Sequence, residues 1–239
     1  MSRTTSRWSE ILFWPTVALM LLAIYAVFVY VPNERVMGYV QRIFYFHVAS
    51  AWVSFLAFFV VFIGGLAYLL KRQSRSVSPL ESYRDRRKWD VLAVSAAEIG
   101  IVFCTITLIT GSIWGRFAWG VWWTWDPRLS TTLVLWLIYV SYLMLRGLVE
   151  EESQRARLSS VFGIIGFVDV PIVFMAIRWW RTVHPVVITG ESINLDPAMI
   201  VTLALSVITF TFLFFTILPQ RMALENARID LEQLKHRFS

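Results

Sequence analysis

The sequence predicts an all-α integral membrane protein with six transmembrane helices. Of its 239 residues, 57% are hydrophobic and only 16% are charged. The apolar residues form six runs of about 20 residues or more, the length that a helix needs to cross the roughly 30 Å hydrocarbon layer. Inside that layer only helices and closed barrels can form all of their backbone hydrogen bonds. The distribution of Lys and Arg indicates how the helices are oriented across the membrane.

The first apolar run, residues 11–31, follows a positively charged N-terminus. Because the run is about 20 residues long and ends without a small-residue cleavage site, it is predicted to remain in the membrane rather than to act as a signal peptide. The second run, residues 43–70, is long, so its helix is expected to tilt or to project beyond the membrane. The remaining runs are residues 91–113, 128–149, 158–178 and 197–218.

Most of the 22 Lys and Arg residues lie in the N-terminus, the connection 71–90, the connection between the fourth and fifth helices, and the C-terminal tail. The positive-inside rule therefore predicts that both termini are cytoplasmic and that the outer loops are 32–42, 114–127 and 179–196. The same bias explains the net charge of +6 and favours contact with anionic membrane lipid. No nucleic-acid partner is expected, because the basic residues are not gathered on one folded face.

A single membrane domain, residues 1–218, is predicted to precede a cytoplasmic tail, residues 219–239. Apolar residues recur in this tail at roughly helical spacing, namely Met222, Leu224, Ile229, Leu231 and Leu234. The pattern is typical of an amphipathic helix on the membrane surface or against a partner, and equally of a solvated helix end. The one cysteine, Cys104, lies in an apolar run, so no disulfide or Cys-x-x-Cys pair is possible.

Tryptophans are concentrated between the third and fourth predicted helices, at Trp114, Trp119, Trp122, Trp123 and Trp125. Interfacial tryptophans usually form a scattered aromatic belt, whereas this density fits a ligand-binding surface equally well. If the segment is helical, three of the indoles and Asp126 align on one face. Asp126 before Pro127 also matches a helix N-cap, and alternatively the Asp126 carboxylate orients Arg128 or an indole N–H.

Two histidines, His47 and His184, are predicted on the outer side, each beside aromatic residues. A lone interfacial histidine is most often a hydrogen-bonded surface residue. Two neutral imidazoles together would suit a planar complex with two open axial positions, such as haem iron, whereas zinc would require three or four protein ligands. Indoles could cover the porphyrin, and its propionates could pair with Arg128, Arg178 and Arg181.

Two acidic residues, Glu98 and Asp169, lie within predicted spans, and neither has a basic partner within a span. Charges at that depth are candidates for a functional site by default. The alternative is interhelical hydrogen bonding, aided near Asp169 by a carbonyl that Pro171 leaves free.

The segment WGVWWTWDPRLS, residues 119–130, closely resembles the signature W-G-x-x-W-x-W-D-x-R-L-T of haem-handling proteins in cytochrome c maturation. Six spans, with one histidine before the signature and one after it in the context WWRTVH, resemble the CcmC, or haem exporter protein C, family. The resemblance covers nearly the whole chain. Ser130 replaces the usual threonine but keeps the hydroxyl, and Pro185 follows His184 where a polar residue would be expected.

The resemblance implies a bacterial inner-membrane protein that holds haem b at the periplasmic face and presents it to the haem chaperone CcmE. It also implies that the protein works with the ABC components CcmA and CcmB and the small membrane protein CcmD. In this family the positions of His47 and His184 are the axial ligands of the haem iron. The residues at the remaining haem and chaperone positions are Trp114, Trp119, Trp122, Trp123, Trp125, Asp126 and Arg128.

The tryptophans are accordingly expected to form a flat surface over one porphyrin edge, and no catalytic residue is expected. Two other functions are compatible with the sequence. A permease subunit that moves haem or another small molecule would line its path with Glu98 and Asp169. A structural anchor for ABC subunits would use the tryptophans as an interface and would need the tail beyond Pro219 for assembly.

Overall fold

The computed structural model describes residues 4–71, 79–182, 184 and 195–238, and side chains over 10–71, 83–182, 184 and 195–235. These ranges are almost entirely helical. A π-helical turn, Ala26–Tyr30, continues the first helix, and a short 3-10 turn, Tyr39–Gln41, precedes the second. The α-helices are α1 (Thr4–Tyr25), α2 (Arg42–Leu70), α3 (Pro79–Trp119), α4 (Pro127–Leu148), α5 (Glu152–Phe167), α6 (Asp169–Trp179) and α7 (Pro197–Phe238).

Six helical stretches of the described chain are long and apolar enough to cross a membrane. The six-span prediction is therefore confirmed, with α5 and α6 together forming the fifth span. Because successive spans alternate in direction, the start of α2, the α3–α4 connection and the end of α6 share one end of the bundle, which we call the tryptophan end. The start of α1 and the end of α7 lie at the opposite end, which we call the terminal end.

Helices α3 and α7 extend well beyond their predicted limits. Helix α3 has 41 residues and continues through Trp119, so the first part of the predicted loop 114–127 is helical. Helix α7 has 42 residues and runs from the sixth span into the tail, with Pro219 inside it. The length of an apolar run predicts only the part of a helix that the membrane accommodates, because polar residues can continue the same helix outside it.

The extension of α7 packs along the beginning of α3. Arg221 forms an ion pair with Glu98, with one guanidinium nitrogen donating to the carboxylate at 2.7 Å, and it also donates to Glu225 at 3.0 Å. Farther along, Arg87 donates to Asp230 at 2.7 Å. Glu98 thus has a basic partner after all. That partner lies beyond the predicted end of the sixth span, where no pattern in the sequence points to it.

The fifth span is interrupted at Val168, between α5 and α6. Pro171 has no N–H and cannot donate to the carbonyl of Phe167, which accounts for a break at this position. Asp169 is the first residue of α6. Its Oδ2 atom is buried and makes no hydrogen bond within the part of the chain that the structure describes.

An ion pair is buried between α3 and α4 near the terminal end. Arg146 donates to both carboxylate oxygens of Asp90, at 2.6 and 2.9 Å. Asp90 is 6% exposed and Arg146 is 9% exposed. Such a two-pronged arrangement offsets part of the large cost of removing both charges from water. It ties α4 to α3 at the end of the bundle opposite to the tryptophans.

Candidate functional site

The tryptophan loop, residues 120–126, joins α3 to α4. Helix α3 ends because Gly120 has a φ of +78°, a left-handed conformation that terminates helices and that residues with a Cβ rarely adopt. The Arg116 guanidinium donates a hydrogen bond to the Gly120 carbonyl, and the Ser112 hydroxyl donates to the Trp122 carbonyl at 2.7 Å. The loop is therefore folded back against the last turns of α3.

Asp126 is the N-cap of α4. Its carboxylate accepts a hydrogen bond from the Arg128 N–H at 3.0 Å, and its carbonyl accepts one from the Ser130 N–H at 2.9 Å. Pro127 occupies the first helical position, where a missing N–H costs nothing. The predicted cap is confirmed, and it fixes Arg128 in the first turn of α4.

The tryptophans form two edge-to-face pairs. The centroids of Trp114 and Trp119 are 5.5 Å apart with an interplanar angle of 89°, and those of Trp123 and Trp125 are 5.8 Å apart with an angle of 82°. The helical alignment suggested for the loop indoles is wrong, because the helix ends at Trp119. The rings of each pair are nearly perpendicular, so they do not form the expected flat surface.

Exposure divides the five indoles into two groups. Trp125 is 78% exposed and Trp122 is 59% exposed, whereas Trp114, Trp119 and Trp123 are half-buried. The Nε1 atoms of Trp114 and Trp123 are buried without a hydrogen-bond partner among the described residues. Trp122 and Trp125 are therefore the indoles that an approaching molecule would meet, and the others support the loop.

His47 lies in the second turn of α2 and is half-buried against α3. Its Nδ1 atom is 3.1 Å from the Thr110 hydroxyl. The ring also lies against Gly111, where an added Cβ would be only 2.9 Å from the His47 Cε1 atom. Sequence reasoning identified His47 but missed both of its neighbours, because nothing in an apolar helical run marks which threonine or glycine will face a histidine.

Two arginines, Arg128 and Arg178, lie at the same end of the bundle as His47. The Arg128 guanidinium is close enough to interact electrostatically with the His47 ring, with the Asp126 carboxylate and with the Arg178 guanidinium. These residues come from the starts of α2 and α4 and from the last turn of α6. Three separate helices thus contribute to the tryptophan end, which carries both an imidazole and guanidinium groups that can attract an anion.

His184 follows the end of α6 and is half-buried. Its N–H donates to the Thr182 hydroxyl at 3.0 Å, which stabilises a tight local turn. Residues 183 and 185–194, which include Pro185, lie outside the described residues. They make up most of the predicted outer loop 179–196. Arg181 is exposed beside this turn.

The side chains at the tryptophan end have the chemistry that haem requires. An imidazole supplies nitrogen for the iron, a guanidinium can pair with propionate, and exposed indoles can lie against porphyrin edges. His47, Arg128, Trp122 and Trp125 supply these kinds of group at the tryptophan end.

Comparison with known proteins gives one consistent result. The family model described as heme exporter protein C matches residues 1–237. A heme exporter protein C of Bradyrhizobium diazoefficiens is 35% identical over 189 residues, which cover 78% of this chain and 66% of that protein. The chain therefore spans slightly less than two thirds of this longer relative.

Two further relatives widen the range of organisms. The heme exporter protein C of Escherichia coli is 32% identical over 198 residues, covering 82% of this chain and 74% of that protein. A cytochrome c biosynthesis ccmC-like mitochondrial protein of Marchantia polymorpha is 31% identical over 218 residues, covering 90% of this chain and 87% of that protein. In each case the similarity includes most of the membrane-spanning part.

Proposed function

The chain belongs to the heme exporter protein C family, and we propose that it binds haem b and presents it to the haem chaperone CcmE during cytochrome c maturation. The observation that carries this proposal is the position of His47. It is half-buried at the tryptophan end, within electrostatic reach of Arg128, and its Nδ1 atom is 3.1 Å from the Thr110 hydroxyl. We propose that its Nε2 atom binds the iron of the ligand.

His47 and His184 are proposed as the two axial ligands of the haem iron, and Arg128 as a partner of a propionate. Two imidazoles on separate elements, helix α2 and the segment after α6, suit reversible binding, because the two ligands can be released one at a time. Trp114, Trp119 and Trp123 support the loop, while the exposed Trp122 and Trp125 contact the haem edge or the chaperone. Asp126 acts through the α4 cap that positions Arg128.

We further propose that the tryptophan end faces the periplasm and that the protein is a multi-pass component of the bacterial inner membrane. The ABC components CcmA and CcmB and the small protein CcmD are the proposed assembly partners, together with membrane lipid. The protein is proposed to transfer haem without a catalytic residue of its own. Any covalent chemistry would then reside in the chaperone and the haem.

The permease alternative has less support. It needs Glu98 and Asp169 as free polar groups along a path, but the Glu98 carboxylate is bound by Arg221. That ion pair joins α3 to α7 and accounts for the acidic residue in structural terms. The Oδ2 atom of Asp169 is buried and has no hydrogen-bond partner among the described residues. Of the two acidic residues, only Asp169 therefore still suits a permease path.

Haem transfer in a purified system tests the proposal. Haem-loaded protein would be mixed with CcmE, and haem covalently bound to CcmE would be measured on denaturing gels. The Trp122→Ala/Trp125→Ala variant, loaded to the same haem content as the wild type, should transfer about tenfold less haem, a change equivalent to about 1.4 kcal/mol of lost contact.

The matched control is Trp14→Ala, because Trp14 is 73% exposed at the terminal end. This variant should transfer haem at the wild-type rate. Equal losses in the control and in the loop variant, or no loss in either, would contradict a presenting role for the tryptophan loop.

A further inference from the structure

The hydroxyl of Thr110 has only one hydrogen, which it donates to a backbone carbonyl oxygen of its own helix. The Thr110 Oγ1 atom lies 2.6 Å from the carbonyl oxygen of Ile106 and 3.3 Å from that of Thr107. A carbonyl oxygen can only accept a hydrogen bond. At 2.6 Å the hydrogen must lie between the Thr110 and Ile106 oxygens, since two oxygens at that distance would otherwise repel each other.

The direction of the bond to His47 follows. With its hydrogen directed at Ile106, the Thr110 hydroxyl faces the His47 Nδ1 atom, 3.1 Å away, with a lone pair. The imidazole must therefore donate, which places the ring hydrogen on Nδ1. A neutral histidine carries only one ring hydrogen, so the Nε2 atom is left with an unprotonated lone pair.

The orientation of the ring is constrained as well. Gly111 leaves just enough room for the edge of the imidazole, because a Cβ there would lie 2.9 Å from the His47 Cε1 atom and 3.4 Å from Nδ1. Any larger side chain would force the ring to turn or α2 to move away from α3. Thr110 and Gly111 thus act together, one through a hydrogen bond and the other through its small size.

We propose that Thr110 is a positioning residue that holds His47 as the Nδ1–H tautomer and presents its Nε2 atom to the haem iron. The inference rests on the proposed haem-binding function. Histidine ligands commonly donate their second N–H to a carboxylate or a carbonyl, which strengthens them as ligands. The His47 ring meets the Thr110 hydroxyl and also interacts with the Thr107 backbone carbonyl.

The tautomer can be measured without haem. Protein labelled with ¹⁵N in its histidines would be prepared haem-free, and the ring resonances of His47 would be assigned by their loss in His47→Ala. The wild type should show the Nδ1–H form. In the isosteric Thr110→Val the ratio of Nδ1–H to Nε2–H should fall about two- to tenfold, the change expected for one lost hydrogen bond. Thr110→Ser, which keeps the hydroxyl, should restore the wild-type ratio.

A wild-type protein in the Nε2–H form would overturn the inference, and so would a Thr110→Val variant with an unchanged tautomer ratio. Haem titration of the same samples separates this result from the proposed function. The inference predicts that Thr110→Val binds haem about two- to tenfold more weakly while Thr110→Ser matches the wild type. If the wild type binds no haem, the proposed function fails, whereas the resonances still report whether Thr110 fixes the ring.

Discussion

At the scale of single residues, the carboxylate of Asp126 determines where α4 begins and so where Arg128 lies. Asp126→Ala should lower stability by about 1 kcal/mol, because the first turn of α4 loses the acceptor for the Arg128 N–H. Asp126→Asn should remain closer to the wild type, since asparagine caps helices as well as aspartate does. Thermal unfolding of the detergent-solubilised proteins measures both effects.

The asparagine variant distinguishes the cap from a purely electrostatic role. An Asn variant as unstable as the Ala variant would show that the charge of Asp126 matters more than its hydrogen bond. Haem binding by the Asn variant should then also differ from the wild type, because the charge next to Arg128 would be missing.

The sequence predicts those parts of the site that depend on neighbours in the chain. Asp126 and Pro127 specify a helix start through local backbone geometry, so the cap could be predicted. The contact of His47 with Thr110 joins residues 63 positions apart on two helices. Its existence depends on how α2 and α3 rotate against each other, which the apolar pattern of a fully embedded helix does not reveal.

At the scale of elements, the buried ion pair between α3 and α4 should contribute strongly to stability. Asp90→Asn or Arg146→Met should each cost about 3–5 kcal/mol, because each leaves one partner of a buried pair unsatisfied. The double variant Asp90→Leu/Arg146→Met should recover most of this loss. Unfolding midpoints in detergent provide the measurement, and a double variant less stable than either single one would contradict the prediction.

The extension of α7 is predicted to depend on Arg221. Arg221→Gln removes the ion pair with Glu98 and should make the tail more susceptible to limited proteolysis. The matched control is Arg228→Gln, which affects only an exposed pair with Glu232 on the same helix. Exposed pairs contribute little, so the control should be cleaved at the wild-type rate. Equal protection of the tail in all three proteins would show that packing alone holds it.

The sequence located the helices better than it located their ends. The apolar runs at 91–113 and 197–218 lie inside α3 and α7, but both helices continue into polar segments. Their extensions are stabilised by contacts such as Arg87 with Asp230, between residues 143 positions apart in sequence. A hydrophobicity pattern cannot predict such ion pairs, because each charged residue, taken alone, looks like a charged residue exposed to water.

At the scale of the whole molecule, the six spans followed from composition, whereas their direction across the membrane is still a prediction. Single cysteines in a Cys104→Ala background can test it. Val121→Cys lies in the tryptophan loop and Leu231→Cys in the extension of α7, at positions that are 44% and 53% exposed. A membrane-impermeant maleimide applied to intact spheroplasts should label Val121→Cys but not Leu231→Cys. Leu231→Cys should be labelled only after the membrane is permeabilised. The reverse pattern would invert the proposed topology.

Histidine-bound haem at the tryptophan end is the central function proposed for this protein. The visible absorption spectrum of the detergent-purified protein from haem-replete cells tests this most directly. It would be recorded beside the His47→Ala/His184→Ala double variant and beside His236→Ala, which changes the histidine of the tail. We predict a Soret band with sharp low-spin bands in the wild type and in His236→Ala, lost or converted to a high-spin spectrum in the double variant. A well-folded wild type that takes up no added haem, or a double variant with an unchanged spectrum, would contradict the account.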